Sequence, residues 1–182
     1  MMTRLLATLV LLGCMAAANA GGRIPVIFVT DIGFDIDDTW ALGMLVKRPE
    51  LDVTLVLGSH GKNLYRAGLL AKFLETVDRT DIPVGIGPPD SRPNSGEQSA
   101  WLGDYQVNDY PGTVHQDGVQ AMIDIIMASD EPVTIVAVGP LSNLAEALRR
   151  EPRIAGRARV ISNMGSIYKG IKIGRASCRE RV

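Results

Sequence analysis

At 182 residues, 46% hydrophobic and 21% charged, the chain has the size and balance of one soluble globular domain, and its 19 Gly and 10 Pro follow no three-residue period, so disordered and collagen-like classes are excluded. Its formal net charge of −1 conceals an acidic body, since residues 21–168 hold 13 Lys/Arg against 19 Asp/Glu, a net of −6. Nucleic-acid binding needs a basic face to replace phosphate counterions, so the body argues against a nucleic-acid partner and for metal cations.

Met1–Ala20 shows the three parts of a secretory signal peptide: Arg4, the apolar run Leu5–Gly13, and the small-x-small cleavage pattern Ala18-Asn19-Ala20. The run is too short for a stable membrane span. The expected location is therefore secreted or periplasmic. A lower-ranked processing pattern, Leu11-Leu12-Gly13-Cys14, is that of a bacterial lipoprotein lipidated at Cys14. The folded part starts near Arg23, which would leave almost no tether. Once the leader is cleaved, Cys178 has no intramolecular partner, so cysteine explains neither stability nor catalysis.

Beyond the leader, strand and helix patterns alternate. Ile24–Val29 is a continuous apolar run rich in β-branched residues, as for a strand buried on both faces. Asp37–Lys47 follows as a helix, Val53–Leu57 as a second strand, Leu64–Val77 as a second helix and Pro83–Ile86 as a short third strand. Gly87–Thr113 clusters Pro, Gly, Asp, Asn and Ser and reads as a long loop, a length that is often functional. Gln116–Ala128 is a third helix, Val133–Val138 a fourth strand, Leu141–Arg150 a fourth helix and Ala158–Ile161 a fifth strand. This order predicts a three-layer α/β/α domain with a mainly parallel, open, Rossmann-like sheet, incomplete at its C-terminal side. Right-handed crossovers bring all strand C-termini to one rim, where open α/β sheets bind ligands. The domain spans 21–171. Lys172–Val182 (KIGRASCRERV) resembles the in-frame translation of a short-read sequencing adapter and reads as a non-native basic tail.

Thr30-Asp31-Ile32-Gly33-Phe34-Asp35-Ile36-Asp37-Asp38 places four carboxylates within eight residues. Like charges so close repel and raise one another's pKa unless a cation or donors compensate. Gly33 permits a sharp turn that brings Asp31, at the strand end, back towards Asp37 and Asp38 at the start of the helix. Converging carboxylate oxygens suit Ca²⁺ or Mg²⁺; zinc would want His or Cys. Helix capping accounts for one Asp here, not for four.

Val26–Leu45, VIFVTDIGFDIDDTWALGML, resembles the N-terminal signature of the inosine-uridine-preferring nucleoside hydrolases, in the longer form Asp-x-Gly-x-Asp-x-Asp-Asp. Val133–Ser166 is similar to the family's Gly-Pro-Leu-Thr-Asn helix start with a Met-Gly strand end after it. The two motifs lie in the family's order and together cover about Ile24–Ser166. The resemblance implies hydrolysis of the N-glycosidic bond of ribonucleosides, with a bound Ca²⁺ and an activated water. It assigns Asp31 as calcium ligand and general base, Asp38 as the second calcium carboxylate, and the Val138 carbonyl as a further ligand. Asp37, Asn63 and Met164 are assigned to the ribose. The expected partner is a ribonucleoside or related small ribosyl substrate, and a homo-oligomer is compatible with it.

The chain also departs from that pattern. Val29 stands where many members carry a further aspartate, and Asp35 lies in a loop two residues longer, where it either touches the metal or caps the turn. Asn63 is the nearest match to the family's asparagine after the second strand. The family's second half, with its sugar-binding Asn/Glu cluster and late His-Asp pair, has no counterpart, so the chain as written is expected to be inactive.

Of the two histidines, His60 follows the second strand and could face the rim, whereas His115 reads as a helix-entry residue. Trp101, Tyr105 and Tyr110 could stack on a base, but pinning the loop to the body explains them better. Gly139-Pro140 with Ser142 and Asn143 reads as a strand-to-helix turn. One alternative is a haloacid-dehalogenase-like phosphohydrolase, since Phe34-Asp35-Ile36-Asp37-Asp38-Thr39 is similar to that family's Asp-x-Asp-x-Thr, with Asp35 as nucleophile and Asp37 as acid/base. Asp31 and Gly33, however, interrupt the strand that should lead into such a nucleophile. The other alternative is a non-catalytic calcium- or nucleoside-binding fragment.

Overall fold

A computed structural model describes residues 22–88 and 96–163. The leader Met1–Ala20 with Cys14, the ribose candidate Met164 and the tail 172–182 lie outside the described residues. In chain order the elements are β1 (Ile24–Thr30), α1 (Asp37–Lys47), β2 (Leu51–Gly58), α2 (Asn63–Thr76), β3 (Val84–Gly85), α3 (Ser99–Leu102), β4 (Val114–His115), α4 (Gly118–Ala128), β5 (Val133–Ala137), α5 (Ser142–Arg150) and β6 (Ala158–Ser162), with 3₁₀ turns at Val107–Asp109 and Pro152–Gly156. The six strands form one sheet in the order β4-β3-β2-β1-β5-β6. Every pairing is parallel. The α/β expectation therefore holds.

The sheet is built from the centre outward. β1 sits between β2 and β5, and Val26, Ile27, Phe28 and Val29 are all fully buried. Val26 and Phe28 join Leu42, Leu45, Leu70 and Leu74 of α1 and α2 in one core. Ile27 and Val29 join Met122, Ile126, Leu144 and Ala147 of α4 and α5 in the other. This two-sided burial is why the strand reads as a continuous apolar run. The register between β1 and β2 steps at Val26/Ile27, whose partners are Val53 and Leu55, so Thr54 is the extra residue. Its hydroxyl donates to the Val26 carbonyl at 3.1 Å.

The expected third strand shrinks to two residues, and the long loop is partly ordered. A missed strand, β4, pairs with β3 and places His115 in the sheet, correcting its reading as a helix-entry residue. The third helix begins at Gly118, later than expected, because the Asp117 side chain caps it by accepting from the Gln120 amide at 3.0 Å. The loop aromatics do pin the segment to the body. The buried Tyr110 hydroxyl donates to the Ile82 carbonyl at 2.8 Å, Tyr105 donates to Glu75 Oε2 at 2.6 Å, and Lys72 Nζ lies 5.1 Å from the Trp101 ring centre.

Tyr110→Phe should remove the bonds to Ile82 and Arg79 while keeping the ring in the core. Urea unfolding should show a loss of about 1–2 kcal/mol with an unchanged m-value, the cost of a buried carbonyl left without its donor. No loss would mean that water replaces the hydroxyl.

Candidate functional site

The chain leaves β1 for β2 on one side of the sheet and returns from β4, through α4, to β5 on the other. The C-terminal ends of β1 and β5 therefore flank the topological switch point, where open parallel sheets leave a crevice. Asp31 follows β1 directly, and Val138 follows β5. The Val138 amide donates to the Val29 carbonyl at 2.9 Å, locking the two ends together. Gly139 is required by proximity: a Cβ there would collide with the Asp31 amide and lie 2.7 Å from Ser59 Oγ. Three strand ends thus meet around one glycine.

Gly33, at φ +95°, supplies the expected turn between Asp31 and α1. A side chain at Gly33 would strike Leu69 and come within 2.8 Å of Tyr65 Cε1. The Tyr65 hydroxyl donates to the Gly33 carbonyl at 3.3 Å and accepts from the Gln98 amide at 3.0 Å, tying the turn to α2 and the long loop. Beyond the turn, α1 starts after Ile36, whose apolar side chain caps none of its amides. Asp38 shares the inward face of α1 with Leu42 and Leu45.

The four aspartates are not equivalent. Asp31 is 6% exposed and Asp38 is 4% exposed. Thr30 Oγ1 donates to Asp38 Oδ1 at 2.9 Å and accepts from the Ile32 amide at 3.0 Å, so one hydroxyl joins strand end, turn and helix. Asp37 is exposed and accepts from the Asp38 amide at 3.1 Å. Asp35 is half-buried, and its backbone carbonyl accepts from Gln98 Nε2 at 3.3 Å. The gathering is therefore a buried pair with two outer neighbours: among the described residues no three Asp, Glu, His or Cys side chains converge as a complete metal-binding group. Burial, followed by the charge of Asp31, pushes the Asp38 carboxyl up to about 7. Burial also raises Asp31, against the charge of Arg66, with Asp37 and Asp35 adding to the rise.

Further polar groups line the same strand ends. Asn63, at the start of α2, donates through Nδ2 to the Gly87 carbonyl at 3.1 Å. Asn143, at the start of α5, donates to the Gly58 carbonyl at 3.0 Å. Asp31 Oδ1, Ser59 Oγ, Asn63 Oδ1 and Asn143 Oδ1 are buried oxygens to which no described group donates. Acceptors left in this state call for a cation, water or ligand hydroxyls. The oxygen-only donor set around Asp31 and Asp38 fits a hard divalent ion, completed by oxygens beyond the pair. His60, half-buried at φ +66°, presents its carbonyl to Arg66 Nε at 2.6 Å.

Asp31, Asp37, Asp38, Asn63, His60 and Val138 all lie in the segments that follow the C-terminal ends of β1, β2 and β5. Arg66, Ser59 and Thr30 join them without a signal in the motif spacing, and Asn143, expected as a turn residue, also bonds the end of β2. Arg66 lies among Asn63, Ala67, Leu70 and Leu74 on the buried face of α2, and a cation in that phase was the available signal. The phosphohydrolase alternative needs its nucleophile at a strand end, but β1 ends at Thr30 and Asp35 lies five residues further on.

Comparisons with known proteins converge on one family. The family model for inosine-uridine preferring nucleoside hydrolases matches residues 26–176. The pyrimidine-specific ribonucleoside hydrolase RihB of Escherichia coli K12 is 32% identical, over 72% of this chain and 45% of its own length. Among solved structures, a plant nucleoside hydrolase is 27% identical with a TM-score of 0.58, covering 77% of this chain and 47% of that one. The inosine-uridine preferring nucleoside hydrolase of Bacillus anthracis shares the fold with a TM-score of 0.64 at 20% identity, covering 81% of this chain and 52% of that one. The chain spans about half the length of the relatives it matches. On the strength of the family match, the chain belongs to the inosine-uridine preferring nucleoside hydrolases.

Proposed function

We propose that this protein serves hydrolysis of the N-glycosidic bond of ribonucleosides, with Asp31 as general base and Ca²⁺ as the metal. The observation that carries this reading is the buried carboxylate pair at the switch point, with Asp31 Oδ1 lacking any described donor. The family uses a metal ion. Asp31, Asp38 and the Val138 carbonyl would hold it here. When bound, calcium would acidify a water and fix the sugar's vicinal hydroxyls. Asp31 takes the proton of the water as its oxygen attacks the anomeric carbon and the C–N bond breaks, the bonding pair leaving with the base. The departing nitrogen is protonated by a separate acid. Asp37, on the exposed side of the pair, and Asn63, with its buried Oδ1, accept hydrogen bonds from ribose hydroxyls. The relatives' names cover pyrimidine and purine nucleosides. What these share, the ribose and its glycosidic bond, is the substrate class proposed here.

The leader pattern of Met1–Ala20 assigns this chemistry to a secreted or periplasmic protein. For the 182-residue chain by itself we propose calcium and ribose binding without turnover, because the match covers 45% of the relative's length. Calorimetry should show Ca²⁺ binding that Asp31→Asn abolishes, and a further heat when a ribonucleoside meets the calcium-loaded protein. No Ca²⁺ heat in the unsubstituted chain would refute the metal reading. Release of p-nitrophenol from its riboside would refute the lack of turnover, and release from its phosphate would restore the phosphohydrolase.

The buried pair also predicts a pH dependence in chelator. The folded Asp38 carboxyl titrates at about 7, above its ordinary 3.8, so the folded state holds the extra proton between those values. Stability from this group is therefore full below about pH 4 and is lost as pH rises towards 7. Asp38→Asn keeps an acceptor for Thr30 and removes the charge. In chelator it should exceed the unsubstituted protein at pH 8 by on the order of 2 kcal/mol, and by little at pH 4. Parallel pH curves for the two proteins would show that Asp38 is not buried as a charge.

A further inference from the structure

Among the described residues the largest fully buried side chain is a cation, Arg66, at 0% exposure. Its guanidinium faces main-chain oxygens from two loops: Nη1 donates to the carbonyls of Asp31 and Ile32, and Nε donates to the His60 carbonyl at 2.6 Å. The first two belong to the turn that carries Asp31, and the third to the loop between β2 and α2. A single planar fork thus fixes two successive peptide planes immediately before Gly33, where the chain turns at φ +95°. With both carbonyls held inward, the Cα–Cβ direction of Asp31 is set by the backbone. There is no slack on the other side, since a Cβ added at Gly58 would lie 3.0 Å from Arg66 Cβ.

Volume alone does not account for an arginine in this place. The neighbouring buried residues of α2 are Ala67, Leu69 and Leu70, in whose company an apolar side chain would avoid the cost of burying a charge. The charge acts on both buried carboxyls, lowering Asp31 and Asp38 against the effect of their burial. Lysine would keep that charge but offers one nitrogen on a flexible stem, which cannot span three carbonyls in a fixed plane.

We propose that Arg66 is a positioning residue of the carboxylate site: by clamping the Asp31, Ile32 and His60 carbonyls it presents the Asp31–Asp38 pair in the geometry that grips a divalent cation. This inference rests on the calcium reading above. It is tested by calorimetric Ca²⁺ titration of the unsubstituted chain, Arg66→Lys and Arg66→Met, each checked for folding by near-UV circular dichroism and melting. The expected result is a folded Arg66→Lys protein that binds Ca²⁺ at least tenfold more weakly, with Arg66→Met no better. A merely structural role would lower the melting temperature and leave the affinity of the folded protein within twofold, and that result overturns the proposal. Binding absent from the unsubstituted chain overturns the calcium reading and this inference together, whereas binding unchanged in Arg66→Lys overturns this inference alone. A second measurement needs no substitution. The Arg66 Nε–H resonance of the unsubstituted chain should exchange slowly and shift when Ca²⁺ is added, and a resonance that saturating Ca²⁺ leaves in place also overturns the proposal.

Discussion

Two buried carboxyl groups held close together at the end of the central strand are the costliest feature of this structure, and much around them follows from that cost. Desolvation and mutual repulsion both oppose ionisation of Asp31 and Asp38. The surroundings offset part of this. The Thr30 hydroxyl donates to Asp38, the Arg66 charge lowers both carboxyls, and Asp38 sits in the first turn of α1, at the helix's positive end. The offset is partial, since Asp38 still titrates near neutrality and one oxygen of Asp31 lacks a described donor. Negative charge left under-compensated in this way calls for a cation, water or further hydrogen-bond donors.

The sheet makes this arrangement possible. Because every strand pair is parallel, all six C-terminal ends share a rim, and the helices that follow β1 and β5 pack on opposite faces of the sheet beyond those two paired ends. Glycine permits the approach that side chains would block: Gly139 lets the β5 end touch the Asp31 amide, and Gly33 lets the chain turn back beneath Tyr65. The long loop is held to the same region, since Gln98 reaches both Tyr65 and the Asp35 carbonyl.

The central strands and most helices were legible because two-sided burial leaves an uninterrupted apolar run and each helix follows a turn signal. β4 was not, as a two-residue strand has no period to read, and His115 was misplaced with it. The order within the long loop depends on Tyr110 finding the Ile82 carbonyl and Lys72 finding Trp101, contacts distant in sequence. At the site, the density of Asp residues was legible, but their division into an inner pair and an outer pair was not. That division follows from helix phase: Asp38 lies four residues before Leu42 and seven before Leu45, on the buried stripe, while Asp37 faces out. The same phase argument would have found Arg66, whose charge disguised it as a surface residue.

The two sides of the crevice are held unequally. The Asp31 side is braced by α1, α2 and the long loop through Thr30, Arg66 and Tyr65. The Val138 side is held by the backbone, through the ladders of β5 to β1 and β6 and the Val138 and Gly139 amides on the Val29 carbonyl. Next to β5 lies β6, whose Val160 and Ile161 are exposed. A change at β6 would therefore reach Val138 through β5, and Asp31 through both the β5–β1 ladder and Gly139. The carboxylates thus depend on side-chain bonds from α1, α2 and the long loop, while the Val138 carbonyl depends on the backbone of β5 and its two neighbouring strands.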